Sequence, residues 1–405
     1  MSSPGRLNKL RLCYVADLRS VHTQRWVSYF AQRGHSVTVL SPTRMELPGV
    51  KVHSIFWKPG LPKILQLANV VPILSVLRAV KPHVLHAHYV RVYGWLAALS
   101  YFKPLVITVW GGDILEDQGA FSDLFARKLT PFALRRAAAV TAHSKFLMKR
   151  VIELGKPESR VHMVGCPGVD RRQFKRGLNT DSLRCELTHE QASERQQIHE
   201  LAERALERPR EQVEAASENG PFILCTRLMD KLYNTETIIN AIPFVLREVP
   251  GTKFIFSEYA GEKAYILDMK ALVKRLAVEA SAIFLKTIPH ERMPLFLNLA
   301  HVFVSIPDSD GMPQSLLEAM ACGTVPVVSD LPQYSELIKN ETNALVLPSK
   351  DAQALAKTII RLLRDNALRE KLSRACVDTI VDGMDYEVEM QKMESLYYKL
   401  SRVGG

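Results

Sequence analysis

The chain has 405 residues, more than one ordinary hydrophobic core serves and suited to two or three domains. With 47% hydrophobic and 23% charged residues it has the composition of a soluble globular enzyme. Its six cysteines have no short pairing, which argues against a zinc site or a disulfide framework and for a reducing compartment. The net charge of +11 is uneven: residues 1–175 hold 26 Lys/Arg against 9 Asp/Glu, and residues 176–405 hold 27 against 33. The basic half suits an anionic membrane, a lipid phosphate or nucleic acid, or is simply a solvated face.

In chain order, Leu10–Val15 reads as a first strand, and a helix runs through Trp26–Arg33 to Gly34. Ser36–Leu40, Val84–His86, Leu105–Val109, Val140–Ala142 and Val161–Val164 are further short apolar strands with helical patterns between them. This alternation predicts a parallel sheet covered on both faces. It stops near Phe174. Residues 176–219 read as a polar helical connector with helical propensity over Gln191–Leu206, which Pro209 divides into two helices.

A second series starts at Phe222–Cys225 and continues through Phe254–Phe256, Ala282–Leu285, Val302–Ser305, Val325–Ser329 and Ala344–Val346. Helices fall at Thr235–Glu248, Glu262–Ala277, Glu291–Leu299, Gln314–Ala321 and Ala352–Leu363. The expected fold class is α/β, with two Rossmann-like parallel-sheet domains and a cleft between them. The expected domains are 1–175, the connector 176–219, a second domain 220–383 and a terminal helix 384–405.

The stretch Ser305–Ser329 (SIPDSDGMPQSLLEAMACGTVPVVS) follows a predicted strand and opens a helix. Gly311 allows close backbone approach, and the amides of Met312–Leu316, except at Pro313, can face an anion. Glu318, farther into the helix, suits a ribose diol. An ordinary strand–loop–helix would share this spacing. The stretch nevertheless resembles the donor-binding motif of retaining glycosyltransferase family 4, whose fold is GT-B, two facing Rossmann-like domains. In that family two acids eight positions apart frame the loop; here they are Asp310 and Glu318.

The resemblance implies that Asp310 contacts the transferred sugar and Glu318 the nucleotide ribose, with Gly311, Met312, Pro313, Gln314 and Ser315 lining the donor. Asp at the first position is one methylene shorter than the usual Glu. Val164–Phe174 resembles the segment ending the family's first domain. Phe222–Tyr233 resembles the strand where an Arg and a following Lys hold the diphosphate, which implies Arg227 and Lys231, the latter one residue early. Asp385–Tyr398 resembles the terminal helix that crosses back to the first domain. His290, in the Thr287–His290 segment that would meet the base, is a hydrogen-bond candidate or a surface histidine. The family generally needs no metal, and no Asp-x-Asp pair of the metal-binding kind is evident.

In the first half, Asp17–Trp26 (DLRSVHTQRW) replaces the family's usual Gly-Gly loop and resembles a His-Thr-x-Arg-Trp variant. His22 or Thr23 could cap the helix or face the diphosphate or acceptor. Leu105–Asp113 (LVITVWGGD) places Trp110 where many relatives have a sugar-contacting His, followed by Gly111 and Gly112, and makes Asp113 a candidate polar contact. His86 and His88 share a sheet face, but no third ligand follows with metal-site spacing, so His88 reads as a cleft residue or a sheet-end histidine. Trp57–Lys81 is apolar, punctuated by proline and charged only by cations; it is a crossover helix or a segment that dips toward a lipid-linked acceptor.

The expected activity is therefore a retaining, metal-independent transfer of a sugar from a nucleotide-diphosphate donor, UDP-sugar in preference to GDP-sugar, to a glycan or lipid-linked acceptor. No cofactor beyond the nucleotide-sugar co-substrate is implied. The polar start Met1–Asn8 and the lack of an apolar run of about 18 residues imply a cytoplasmic protein, peripheral to a membrane if 57–81 binds one. Two other readings stay open: a non-catalytic subunit of the same fold that scaffolds a partner transferase, and a tandem-Rossmann enzyme of another class. No Gly-x-Gly-x-x-Gly follows the first strand to support a dinucleotide, and no motif supports nucleic-acid binding.

Overall fold

The computed structural model describes residues 8–55, 63–115, 120–164, 168–188, 220–259 and 261–403. The chain divides into two compact units, Met1–Gly168 with Tyr386–Gly405, and Val169–Asp385. Each is built on a wholly parallel sheet.

The first unit carries β1 (Arg11–Val15), β2 (Ser36–Ser41), β3 (Val50–Ser54), β4 (Val84–His88), β5 (Leu105–Thr108), β6 (Ala139–Ala142) and β7 (Val161–Met163) in the order β3-β2-β1-β4-β5-β6-β7. The central strands β4, β5 and β6 are buried at every residue, as expected of a sheet with helices on both faces. The edge strand β3 has no residue classed as buried, and for that reason no apolar run announces it in the sequence. The second unit carries β8 (Phe222–Cys225), β9 (Lys253–Ser257), β10 (Ala282–Leu285), β11 (Val302–Ser305), β12 (Val325–Ser329) and β13 (Leu345–Leu347) in the order β10-β9-β8-β11-β12-β13.

Both sheets reverse their winding once, between β1 and β4 and between β8 and β11. Chains leaving two adjacent strands in opposite directions open a crevice beyond their carboxyl ends, where ligands of doubly wound folds sit. The loops after these four strands therefore decide where chemistry can occur in each unit.

Local signals set the helix boundaries. Ser20 accepts a hydrogen bond from the Thr23 amide and starts the helix Val21–Gln32; Gly34, at φ +84°, ends it in a conformation that suits glycine. Asp351 and Asp365 cap the helices Ala352–Arg364 and Asn366–Gly383. The last of these was not among the expected elements. The terminal helix Tyr386–Val403 belongs to the first unit, where Met390, Met393 and Tyr397 are buried with Leu12, Tyr14, Trp26 and Phe30.

The Tyr397 hydroxyl joins a buried polar chain. It meets Tyr14 Oη at 3.1 Å and His86 Nδ1 at 2.5 Å, while His86 Nε2 meets Thr108 Oγ1 at 2.7 Å and Thr108 meets Thr141 at 2.6 Å. Both ring nitrogens of His86 are spent on this network. Of the segment 57–81, residues 57–62 lie outside the described residues; Ile73 and Leu77 of the helix Val70–Val80 are buried in the first unit's core, as a crossover helix requires, while Val71 is 73% exposed. Of the connector, residues 181–188 are helical, and 189–219, including Gln191–Leu206 and Pro209, lie outside the described residues. No helix among the described residues is long and apolar enough to cross a membrane.

Candidate functional site

In the second unit the loops after β8 and β11 flank the crevice. Arg227, two residues beyond β8, meets Asp310, beyond β11, through Nη2 and Oδ2 at 2.6 Å; the two side chains are only 16% and 14% exposed. Arg227 Nη1 also donates to Ser315 Oγ at 3.2 Å, and its guanidinium lies 4.6 Å from the centre of the Tyr233 ring. The Asp310 carboxylate accepts from the Tyr334 hydroxyl at 3.1 Å and from the Gly311 amide at 2.8 Å. Asp310, Ser315 and Tyr233 thus hold one cation, and Tyr334 and the Gly311 amide hold its counter-ion, at the start of the helix Gln314–Ala321, whose leading residue Pro313 supplies no side-chain cap.

The pair's electrostatics follow from burial and proximity. Burial works against the Arg227 charge, yet Asp310, Tyr233 and Tyr334 together hold its pKa above the ordinary arginine value. Burial raises the Asp310 carboxyl above its usual range, against the pull of Arg227, Tyr334 and the Gly311 amide. Burial and then Asp310 raise Tyr334, which stays a donor.

The loop Ile306–Asp310 is tied down behind the site. Asn234, at φ +54°, donates to Ile306 O and Asp308 Oδ1, both at 2.9 Å. Asp308 also accepts from Ser349 at 2.9 Å and pairs with Lys350 at 2.6 Å. Sequence reasoning missed Tyr233, Tyr334, Asn234 and Asp308. An asparagine just ahead of a helix was a legible signal for the third; Tyr334 lies on a turn 24 residues from Asp310 and had none.

Glu318 is buried one turn into the same helix and meets His290 Nε2 at 3.1 Å; the His290 side chain is 32% exposed and its ring lies 5.2 Å from that of Phe174. Arg227, Asp310, Gly311, Ser315, Glu318 and His290 therefore belong to one unit, in two polar clusters at the two ends of the segment 310–318. Lys231 sits on the turn Lys231–Tyr233 with an exposed side chain, outside both clusters. Met312, Pro313 and Gln314 form the backbone between the clusters.

In the first unit the candidates gather beyond β1, β4 and β5. His88 ends β4 fully buried, and its Nδ1 meets Thr23 Oγ1 at 3.2 Å. Burial, with His22 nearby, pushes its pKa down to about 3, so the ring is neutral at pH 7. The Trp110 ring lies 5.2 Å from that of His22, 5.6 Å from that of Tyr89 and 5.5 Å from that of His88. His88 Nε2 and Trp110 Nε1 are buried without a hydrogen-bond partner, an arrangement that calls for a polar guest. Gly111, at φ +106°, turns the chain directly after Trp110.

Asp113 departs from its expected role. Its Oδ1 accepts from the amides of Trp110 at 2.9 Å and Gly111 at 3.0 Å, and its Oδ2 from the Val90 amide at 2.7 Å. Three backbone bonds use the carboxylate inside the loop structure, where burial raises its pKa above the ordinary value. The turn it grips is strained: Tyr89 sits at φ +69° and Val92 at φ +63°, ψ −69°. For an aromatic and a β-branched residue such conformations cost about 1–3 kcal/mol each and persist where neighbours enforce them. Among the described residues no group of three His, Cys, Asp or Glu side chains could hold a metal ion.

Comparison with known proteins agrees with this layout. Residues 207–376 match the family of group 1 glycosyl transferases, and residues 11–144 match the glycosyl transferase 4-like family. The chain is 23% identical over 389 residues to the N-acetyl-α-D-glucosaminyl L-malate synthase of Bacillus anthracis, covering 92% of this chain and 91% of that one. Over 105 residues, 26% of this chain and 27% of the other, it is 29% identical to an Escherichia coli UDP-Gal:α-D-GlcNAc-diphosphoundecaprenol α-1,3-galactosyltransferase. The crystal structure of Anabaena Alr3699/HepE in complex with UDP superposes with a TM-score of 0.73 at 15% identity, over 96% of this chain and all of that one. That likeness shows the fold, which is GT-B.

Proposed function

The chain belongs to the family 4-like glycosyltransferases, and on that premise we propose that it transfers a sugar from a UDP-sugar to a glycan or lipid-linked acceptor, with retention and without a metal. The observation that carries the donor side is the Arg227–Asp310 pair at the β8/β11 reversal. As the bond from the anomeric carbon to the diphosphate oxygen breaks, negative charge grows on the departing nucleotide. A guanidinium already held in place by Asp310, Ser315 and Tyr233 meets that charge without reorganising. Such preorganised charge is usually the largest part of the catalytic effect. Lys231, exposed on the adjoining turn, is free to close on the diphosphate from outside.

Glu318 with His290 is the ribose end of the site, a buried carboxylate beside a half-buried imidazole. Asp310 holds Arg227 and, through the Gly311 turn, sets where the transferred sugar lies. On the sugar and acceptor side, His88 and Trp110 offer their unpartnered nitrogens, flanked by His22 and Thr23. Retention and metal independence rest on the family resemblance. The UDP preference is supported by the Escherichia coli relative and the Anabaena structure, whose names carry UDP-Gal and UDP.

A lipid-linked acceptor is supported by the diphosphoundecaprenol acceptor in the same relative's name and by charge. Residues 47–112 hold no Asp or Glu, and exposed Val71 and Arg78 lie on one helix of that stretch, the pairing an anionic interface attracts. The test is release of the nucleoside diphosphate, UDP from UDP-glucose, UDP-galactose and UDP-N-acetylglucosamine and GDP from the control donor GDP-mannose, each with polyprenyl-diphosphate-linked sugars in anionic vesicles. Proton NMR of the product reads the anomeric configuration. Faster turnover of GDP-mannose than of any UDP-sugar would overturn the donor assignment, and an inverted product the retaining one.

A further inference from the structure

The Asp113 carboxylate joins two loops that carry different parts of the first unit's site. One follows β4 and holds His88, Tyr89 and the turn to Val92; the other follows β5 and holds Trp110. Within the first loop the Gly94 amide returns to Tyr89 O at 3.0 Å, a wide i→i+5 turn of the kind often kept at functional sites. Its geometry suits glycine at Tyr89 and Val92, and neither is glycine. A backbone of this kind holds only where its surroundings over-determine it. The anchor here is the bond from the Val90 amide to Asp113, in the middle of the strained stretch.

On the other side, the Trp110 and Gly111 amides share the opposite oxygen of the same carboxylate. Tyr89 and Trp110, the residues next to these anchored amides, stack at 5.6 Å with their planes 20° apart. One side chain thus fixes the spacing of two loops and the tilt of the indole. The groups that oppose the burial of its charge are backbone amides.

We infer that Asp113 is a positioning residue: it clamps the strained Tyr89–Val92 turn against the Trp110 loop, and so sets the hydrogen-bonding edge that His88 and Trp110 present to a sugar hydroxyl. This rests on the reading of that edge as the sugar side. Asparagine cannot replace the carboxylate, because its amide nitrogen would face a backbone N–H where an oxygen now accepts.

The experiment is a double-mutant cycle of Asp113→Asn with Val92→Gly, read in UDP release from whichever of UDP-glucose, UDP-galactose and UDP-N-acetylglucosamine the wild type turns over. Asp113→Asn lowers kcat/KM by roughly 10- to 100-fold, the usual effect of a small misplacement of a reacting group. Glycine adopts the Val92 conformation without strain, so in the Val92→Gly background the fold-loss from Asp113→Asn shrinks by about threefold or more. Effects that simply multiply would overturn the clamp.

A second readout is independent of turnover. The emission of Trp110, taken as the difference from Trp110→Phe, shifts in Asp113→Asn while the Kd for UDP stays unchanged; an unshifted emission would also overturn the clamp. If Trp110→Phe and His88→Ala both leave kcat/KM unchanged, the sugar-side reading fails. The emission shift and the UDP affinity then still decide whether Asp113 holds the loops.

Discussion

Arg227 and Asp310, 83 residues apart in sequence, meet at 2.6 Å across the point where the second sheet reverses its winding. Arg227→Ala removes the charge proposed to meet the leaving diphosphate and leaves Asp310 buried without its cation. A loss in kcat of about 10²–10³ is expected, the size seen when one preorganised donor is deleted. Arg227→Lys recovers little, because an ammonium cannot reach Asp310 and Ser315 with the spread of a guanidinium. Steady-state rates of the two variants check this, and a lysine variant near wild-type rate would contradict it.

Glu318 is proposed to meet a different part of the donor. Glu318→Gln keeps its shape and removes its charge, so UDP affinity weakens by about tenfold, as for one hydrogen bond to a charged group. His290→Ala, which removes the partly exposed partner at 3.1 Å, weakens it less. Isothermal titration with UDP orders the two variants, and the reverse order would move the ribose away from Glu318.

The buried Tyr397 hydroxyl anchors the terminal helix to the first sheet through Tyr14 and His86. Tyr397→Phe leaves Tyr14, His86 and the Trp26 indole N–H, which donates to the same hydroxyl at 3.4 Å, each short of a bond and destabilises the first unit by about 1–3 kcal/mol. UDP affinity, assigned by the proposed function to the second unit, stays unchanged. Denaturant unfolding together with UDP titration separates these effects; a loss of UDP binding alone would contradict the assignment.

Buried histidines set a pH dependence of stability. Burial pushes His88 down to about 3, His143 and His301 to about 4, and His86 well below its ordinary value. The unfolded chain takes up protons on these rings below about pH 6.5, whereas the folded chain does not. Stability is therefore full above that pH and is lost as pH falls toward 4, by about 1.4 kcal/mol per pH unit for each ring. Denaturation at pH 7.5, 6 and 5 measures the slope, and His88→Asn makes it shallower.

Most of the fold was legible because parallel strands buried on both faces leave unbroken apolar runs, as at Val302–Ser305 and Val325–Ser329. The exposed edge strand Val50–Ser54 left no such run. Arg227, Asp310 and Glu318 could be placed by motif. Tyr334 could not, since nothing local marks a tyrosine that reaches Asp310 from another turn. Asp113 was visible as a residue but not in its role, because a carboxylate that accepts three backbone amides looks in sequence like one awaiting a ligand.

The central claim is that the β8/β11 reversal holds a uridine nucleotide through Arg227. Isothermal titration of the wild type and Arg227→Ala with UDP tests it most directly. Saturable one-to-one binding by the wild type, weakened at least about tenfold by the substitution, is the predicted result. No binding of UDP by the wild type, or equal affinity in the two proteins, would contradict it.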